Sequence, residues 1–210
     1  MTPKQRQFWQ LLNTNATIIP TTARDLDALQ RVQLPFHSWS IIDHGGVILN
    51  PAGIPDAYWL EHMTSASQMA QVDLGALLEM ANTVIAHQKL AARAQMITDF
   101  QLPLYFVAKY RNGKSGDLDW LQEHLVQPWV LARSTTYQLH RNGNNLAVLP
   151  RGLGKEHAVR YLIKRFNNEW GDLFTIGVGD SVSDGAFMAE CDYAITPRDS
   201  QLFSATLKLL

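Results

Sequence analysis

The sequence predicts an α/β protein: a doubly wound, largely parallel Rossmann-like sheet from residues 1–50 and 150–210, with residues 51–149 inserted as an α+β cap. Three observations predict it. A short β-branched run, Ala16 to Thr21, is followed by Leu26, Leu29 and Val32 at helical spacing. A helical pattern from Lys155 leads into a second apolar run, Leu173 to Val178, which again gives way to a helix. Between these two strand-and-helix ends the chain changes character, with long helical patterns mixed with isolated strands. A length of 210 residues suits one core with an insertion better than two average domains.

In chain order, Thr2 can cap a first helix that Pro3 opens, with Phe8, Leu11 and Leu12 on one face. Ala16 to Thr21 reads as a buried strand ending in Thr22-Ala23-Arg24. A second strand, Trp39 to Asp43, meets Gly45-Gly46 and then Val47-Ile48-Leu49, the pattern of a tight turn into a hairpin. Within the insertion, helices are expected over 57–71, 74–96 and 118–131, and strands over 104–110 and 136–140. The turn from Arg141 to Asn145 joins two strands and returns the chain to the core near Pro150. There Lys155 to Asn167 is a helix with Val159, Leu162, Ile163 and Phe166 inward. Leu173 to Val178 is a buried strand, Gly185 to Glu190 a helix and Tyr193 to Thr196 a last strand.

Composition bounds the function. Hydrophobic residues make up 46% and charged residues 18%, enough to bury a core and too few charges for a disordered chain. A formal net charge of −1 with scattered Lys and Arg gives no nucleic-acid surface. The single Cys191 permits no intrachain disulfide, and neither a secretory core nor a run of about 18 apolar residues occurs, so a reducing, cytoplasmic setting without a membrane is expected.

Three places can carry chemistry. The strongest is Gly177-Val-Gly-Asp-Ser-Val-Ser-Asp184, where an apolar strand delivers Asp180 and Asp184 to its carboxyl end, the ligand-binding edge of an open α/β sheet. Hard carboxylate oxygens on a glycine-loosened turn suit Mg²⁺, which keeps several waters and takes one or two protein carboxylates. They equally suit capping of the next helix. The second is Gly152-Leu-Gly-Lys155. A lysine opening a helix conflicts with the macrodipole unless an anion is close, or unless the lysine is simply solvated. The third is Thr22-Ala23-Arg24, whose hydroxyl and following N–H groups can hold a phosphoryl oxygen or cap a helix.

Taken together, strand-Thr-x-Arg, a large insertion, Lys at a helix start and strand-Gly-Asp-x-x-x-Asp resemble motifs two, three and four of the haloacid dehalogenase superfamily. The likeness is to its cap-bearing sugar-phosphatase branch, with sucrose-phosphate and mannosyl-phosphoglycerate phosphatase relatives. Asp43-His-Gly-Gly-Val-Ile48 resembles that branch's segment leading into the cap, with His44 where many relatives carry Asn. The resemblance implies a Mg²⁺-dependent phosphoric monoester hydrolase acting on a small phosphorylated metabolite. It implies that Asp180 ligates the metal, Asp184 supports its shell, Lys155 neutralises phosphate and nucleophile, and Thr22 binds the phosphoryl group. Arg24 matches the branch's motif-two arginine and is a weaker substrate contact.

The family's first motif, a strand ending in Asp-x-Asp that supplies nucleophile and general acid, is absent from this chain. Asp25-Leu-Asp27 lies in the helix after Thr22, Asp117-Leu-Asp119 opens an insertion helix, and Asp99 follows a helical pattern in the insertion. None sits at the end of a core strand, where a nucleophile must be fixed. The expectation is therefore a chain weakly active or inactive as it stands, either because its coding start is placed too late or because it is a non-catalytic phosphate-ligand binding or regulatory descendant. The aromatic residues Tyr58, Trp59, Tyr105, Phe106, Trp120 and Trp129 read as insertion core, with a sugar pocket as the alternative.

Overall fold

The computed structural model describes residues 2–209. Thr2 caps α1 (Pro3–Asn15) through a reciprocal pair: its Oγ1 accepts the Gln5 N–H at 3.2 Å, and Gln5 Oε1 accepts the Thr2 N–H at 2.8 Å. Asp25 caps the short α2 (Leu26–Gln30), its carboxylate accepting the Ala28 N–H at 2.7 Å. The expected strand Ala16 to Thr21 is only a single parallel bridge, Thr21 to Ile41, and stays partly exposed. A buried parallel strand is laddered along both edges. Among the described residues the backbone bonds run to one side, from Ile41 N to Pro20 O and from Thr22 N to Ile41 O. The expected hairpin is present, with β1 (Ser40–Ile42) antiparallel to β2 (Val47–Leu49). Both strands are fully buried.

By its contacts the chain divides into two compact units, Met1–Trp59 with Gly154–Leu210, and Leu60–Leu153. The second unit holds a four-stranded antiparallel sheet in the order β3-β4-β6-β5, built from β3 (Ala92–Asp99), β4 (Leu102–Tyr110), β5 (Tyr137–Asn142) and β6 (Asn145–Pro150). The helix α3 (Ala57–His87) runs unbroken for 31 residues where two helices were expected. The expected helix over 74–96 ends at His87: Lys89 takes φ +53°, and residues from Ala92 onward pair with β4, Met96 opposite Phe106. Ala92, Ala94 and Met96 alternate toward the core, the period of two of a strand rather than that of a helix. Asp99 consequently ends a strand, but one of the antiparallel hairpin.

Leu74, Leu77, Phe106, Leu121, Tyr137 and Val148 form the centre of this unit's core. α4 (Ser115–Leu121) passes through one π-turn into α5 (Gln127–Leu131) and covers that core with Leu118, Leu121, Val126 and Trp129. Tyr137 keeps its polar end satisfied by donating to Asp73 at 3.1 Å, and burial together with that carboxylate drives its phenol far up.

In the first unit α6 (Lys155–Trp170) buries Ala158, Val159, Leu162 and Phe166. β7 (Ile176–Val178) then pairs in parallel with β8 (Tyr193–Ile195), and α7 (Gly185–Met188) lies between them in sequence. The final α8 (Gln201–Leu207) is capped by Ser200. β7 departs from expectation. It is shorter than predicted and not buried, with Ile176 and Val178 at 39% and 37% exposure and Ile195 of β8 at 38%. Among the described residues β7 has β8 as its one paired neighbour. A strand's side chains point to the two faces of its sheet, and this pair of three-residue strands has those faces only partly covered. The architecture is α/β, with parallel pairing in the first unit and an α+β insertion in the second. Among the described residues no helix is long and apolar enough to cross a membrane.

Candidate active site

Gly177 and Gly179 let the segment after β7 fold back on itself. A Cβ on Gly177 would stand 2.8 Å from Met188 Cα, and one on Gly179 would stand 2.5 Å from Asp184 Cβ. Asp184 is thereby drawn under the loop and buried. Its Oδ1 accepts from Lys155 Nζ at 2.7 Å, and its Oδ2 accepts the N–H groups of Asp180 at 3.2 Å and Ser181 at 3.0 Å. Burial alone would raise this carboxyl, but Lys155 and the Ser181 N–H outweigh it and hold Asp184 below the ordinary carboxylate range.

Lys155 is not a solvated surface lysine. Its side chain is 12% exposed, and Nζ lies 5.6 Å from the centre of the Phe187 ring. The anion that a lysine at a helix start calls for is supplied by Asp184. Asp180, at the carboxyl end of β7, is exposed, and its backbone carbonyl accepts the Leu202 N–H.

Thr22 is not a helix cap, since Asp25 fills that role for α2. Its Oγ1 accepts the Arg24 N–H at 3.1 Å and its carbonyl accepts the His44 N–H at 3.2 Å. Arg24 is exposed, with one guanidinium nitrogen 3.4 Å from the Ala28 carbonyl.

One loop joins Thr22 to Lys155. Asp43, His44 and Gly45 all have positive φ, at +52°, +56° and +94°. Three such residues in succession let the chain turn sharply off β1 and press Gly45 onto the start of α6. A Cβ at Gly45 would stand 2.4 Å from the Gly154 carbonyl oxygen and 3.1 Å from Lys155 N. Gly45→Ala is therefore expected to lower stability by more than the roughly 1–3 kcal/mol of left-handed strain alone. Chemical denaturation reads this directly; an unchanged midpoint would show the contact to be soft.

In sequence this loop reads as an ordinary hairpin turn, and the group behind it is assembled only by the fold. Asp56, buried, accepts the Trp59 N–H at 2.9 Å and the Tyr161 hydroxyl at 2.7 Å, and pairs with Arg165. The only sequence signal was Asp56 three residues before Trp59 at the start of a helical pattern, which marks a cap and says nothing of α6.

The other aspartates lie elsewhere. Asp117 accepts the Ala91 N–H at 2.6 Å and Asp119 pairs with Arg141 at 2.6 Å, both in the second unit. Tyr58 is exposed at 77%, whereas Trp59, Tyr105, Phe106 and Trp129 are buried.

Among the described residues no three His, Cys, Asp or Glu side chains are grouped to hold a metal ion. Asp180 offers a carboxylate, but both oxygens of Asp184 are already engaged. Asp180 with water would make a sparse Mg²⁺ shell, with Asp184 behind it in support.

The sequence matches the sucrose-6F-phosphate phosphohydrolase family over residues 3–202. No curated protein sequence matches it significantly. Among solved structures it is similar to the sucrose-phosphatase of Synechocystis, determined in complex with sucrose and phosphate. That likeness has TM-score 0.57 and 14% identity, over 98% of this chain and 88% of that one. It is similar to the C-terminal domain of trehalose-6-phosphate phosphatase from C. albicans, with TM-score 0.61 and 13% identity, over 90% of this chain and 64% of that one. A haloacid dehalogenase-like hydrolase from B. subtilis gives TM-score 0.57 and 14% identity, over 95% and 84% of the two chains. At these identities the structural likeness shows the fold, that of a haloacid dehalogenase-like hydrolase, and the match across nearly the whole sequence shows the lineage: the chain belongs to the sucrose-6F-phosphate phosphohydrolase family.

Proposed function

We propose that this protein is a phosphatase-type hydrolase of a small phosphorylated metabolite, a sugar phosphate, that works with Mg²⁺ in the cytoplasm, and that residues 2–209 do not supply its aspartate nucleophile. The observation that carries the reading is the buried Lys155–Asp184 pair, 2.7 Å long, held beside Asp180 at the carboxyl end of β7. Lys155 is a fixed cation that a phosphate dianion can share with Asp184. Thr22, tied to the same loop as Gly154, is the second phosphate contact, and Arg24 a peripheral substrate contact. Asp180 and Asp184 are the carboxylates to which Mg²⁺ would be directed, and with Lys155 they make up the catalytic set of this chain.

The sugar phosphate rests on the family match and on the sucrose and phosphate held by the Synechocystis relative. The open edge of β7 and the exposed Ile176 and Val178 favour a further strand beside it, the place from which a nucleophile would be presented. The engagement of both Asp184 oxygens by Lys155 and two backbone N–H groups favours a second reading, a phosphate-ligand binding or regulatory protein without turnover.

Calorimetry separates the assignments. Mg²⁺ is expected to bind the chain weakly and to lose that binding in Asp180→Asn, while Asp25→Asn, which alters only the α2 cap, leaves it intact. Tight binding that is lost in Asp25→Asn and kept in Asp180→Asn overturns the assignment.

A further inference from the structure

Behind Lys155 stands a closed circuit of contacts that none of the motifs announces. The start of α6 is seated against the Gly45 peptide, as the close approach of Gly45 to Gly154 and Lys155 N shows. The Gly45 carbonyl accepts the Trp59 indole N–H at 2.9 Å in a buried contact. The Trp59 backbone N–H is held by Asp56, and the same carboxylate accepts Tyr161 and pairs with Arg165, both on α6. Trp59 and Tyr161 also pack ring against ring at 5.1 Å. The circuit thus leaves α6 at its first residue, passes through Gly45, Trp59 and Asp56, and returns to α6 at Tyr161 and Arg165.

We propose that Trp59 is a positioning residue for Lys155: its indole N–H fixes the Gly45 peptide, and that peptide sets where α6 begins and hence where the Lys155 ammonium stands. The inference rests on the reading of Lys155 as the phosphate-binding cation and adds to it the device that aims the side chain. Three features single out Trp59 as more than core packing. The hydrogen bond reaches a loop of three left-handed residues, which has little latitude to re-form if released. The loop touches the helix at the residue next to Lys155. The partner of the indole is a backbone carbonyl, so removing the N–H leaves a buried acceptor rather than an altered side chain.

The test is titration of the 210-residue chain with inorganic phosphate, with thermal unfolding followed in parallel. Trp59→Phe keeps a ring and removes the donor, and phosphate affinity is expected to fall about threefold to tenfold, the equivalent of one net hydrogen bond. Phe166→Leu is the control. Phe166 is buried on the same helix, its ring 5.7 Å from Trp39 and 4.7 Å from Trp170, both outside the circuit. It is expected to lower the unfolding temperature and leave phosphate affinity as in wild type. If Trp59→Phe does not fold, Asp56→Asn, which loosens the Trp59 anchor, is read in its place and is expected to weaken phosphate in the same way. Wild-type phosphate affinity in the folded Trp59 or Asp56 variant overturns the positioning role. So does an equal loss of affinity in Phe166→Leu, which would mark general loosening of α6. If instead wild type and Lys155→Met bind phosphate equally, the phosphate reading of Lys155 fails first and the inference with it.

Discussion

Turnover of phosphate monoesters by the 210-residue chain is expected to lie about six orders of magnitude below that of the same chain completed by a strand ending in Asp-x-Asp, the scale of loss seen when a nucleophile is removed from an unrelated hydrolase. The reason is positional. Attack on phosphorus needs a carboxylate fixed opposite the cation and held in line. Asp25 is committed to a helix cap, Asp117 and Asp119 to the second unit, and Asp184 to Lys155. Lys155 and Thr22 can stabilise charge on a bound phosphate, but charge stabilisation alone forms no aspartyl-phosphate. A screen of sugar phosphates with Mg²⁺, run on both chains, measures the ratio. Comparable turnover of the unextended chain would mean that a described carboxylate attacks. Asp43, fully buried at the carboxyl end of β1, would then be the residue to replace with Asn.

Lys155→Met is expected to cost about 3 kcal/mol of stability at neutral pH, the lower part of the range for breaking a buried ion pair, because the N–H groups of Asp180 and Ser181 still face Asp184. For a chain of this size that lowers the unfolding temperature by roughly 6–12 °C. The sign of the pH dependence follows from the depressed Asp184 carboxyl. Its pairing stabilises the wild-type fold fully above the ordinary carboxylate value of about 3.9, and that contribution is lost as pH falls through the lower folded value. In the variant the carboxylate is buried without its cation, so its proton is retained to higher pH. The gap between variant and wild type should therefore be wide at pH 7 and close below about pH 4. Urea denaturation across that span reads it, and a gap independent of pH would show that the methionine acts through packing alone.

The last motif was legible because it is local: Gly177, Gly179, Asp180 and Asp184 occupy one strand end, and the spacing itself folds Asp184 under the loop. The Thr2 cap and the Val47–Leu49 hairpin were legible for the same reason, their bonds closing within a few residues. Period alone misled where a strand was partly buried. Ala92, Ala94 and Met96 extend a helical pattern in sequence, and only pairing with β4 makes them a strand. Ile176 and Val178 have the composition of a buried strand, but burial depends on what covers the two faces of the sheet, which no stretch of β7 can specify by itself.

Residue type and order determined that this chain is an α/β phosphatase relative, with Thr22, Lys155, Asp180 and Asp184 as its polar landmarks, since helical and strand periods and carboxylate spacing are written in consecutive residues. The tertiary structure decided how those landmarks are held. It gave Lys155 the Asp184 anion, seated α6 on Gly45 and tied both to Asp56 and Trp59. Such contacts join distant residues, Asp56 and Arg165 being 109 positions apart, and groups that distant meet only after the chain has folded.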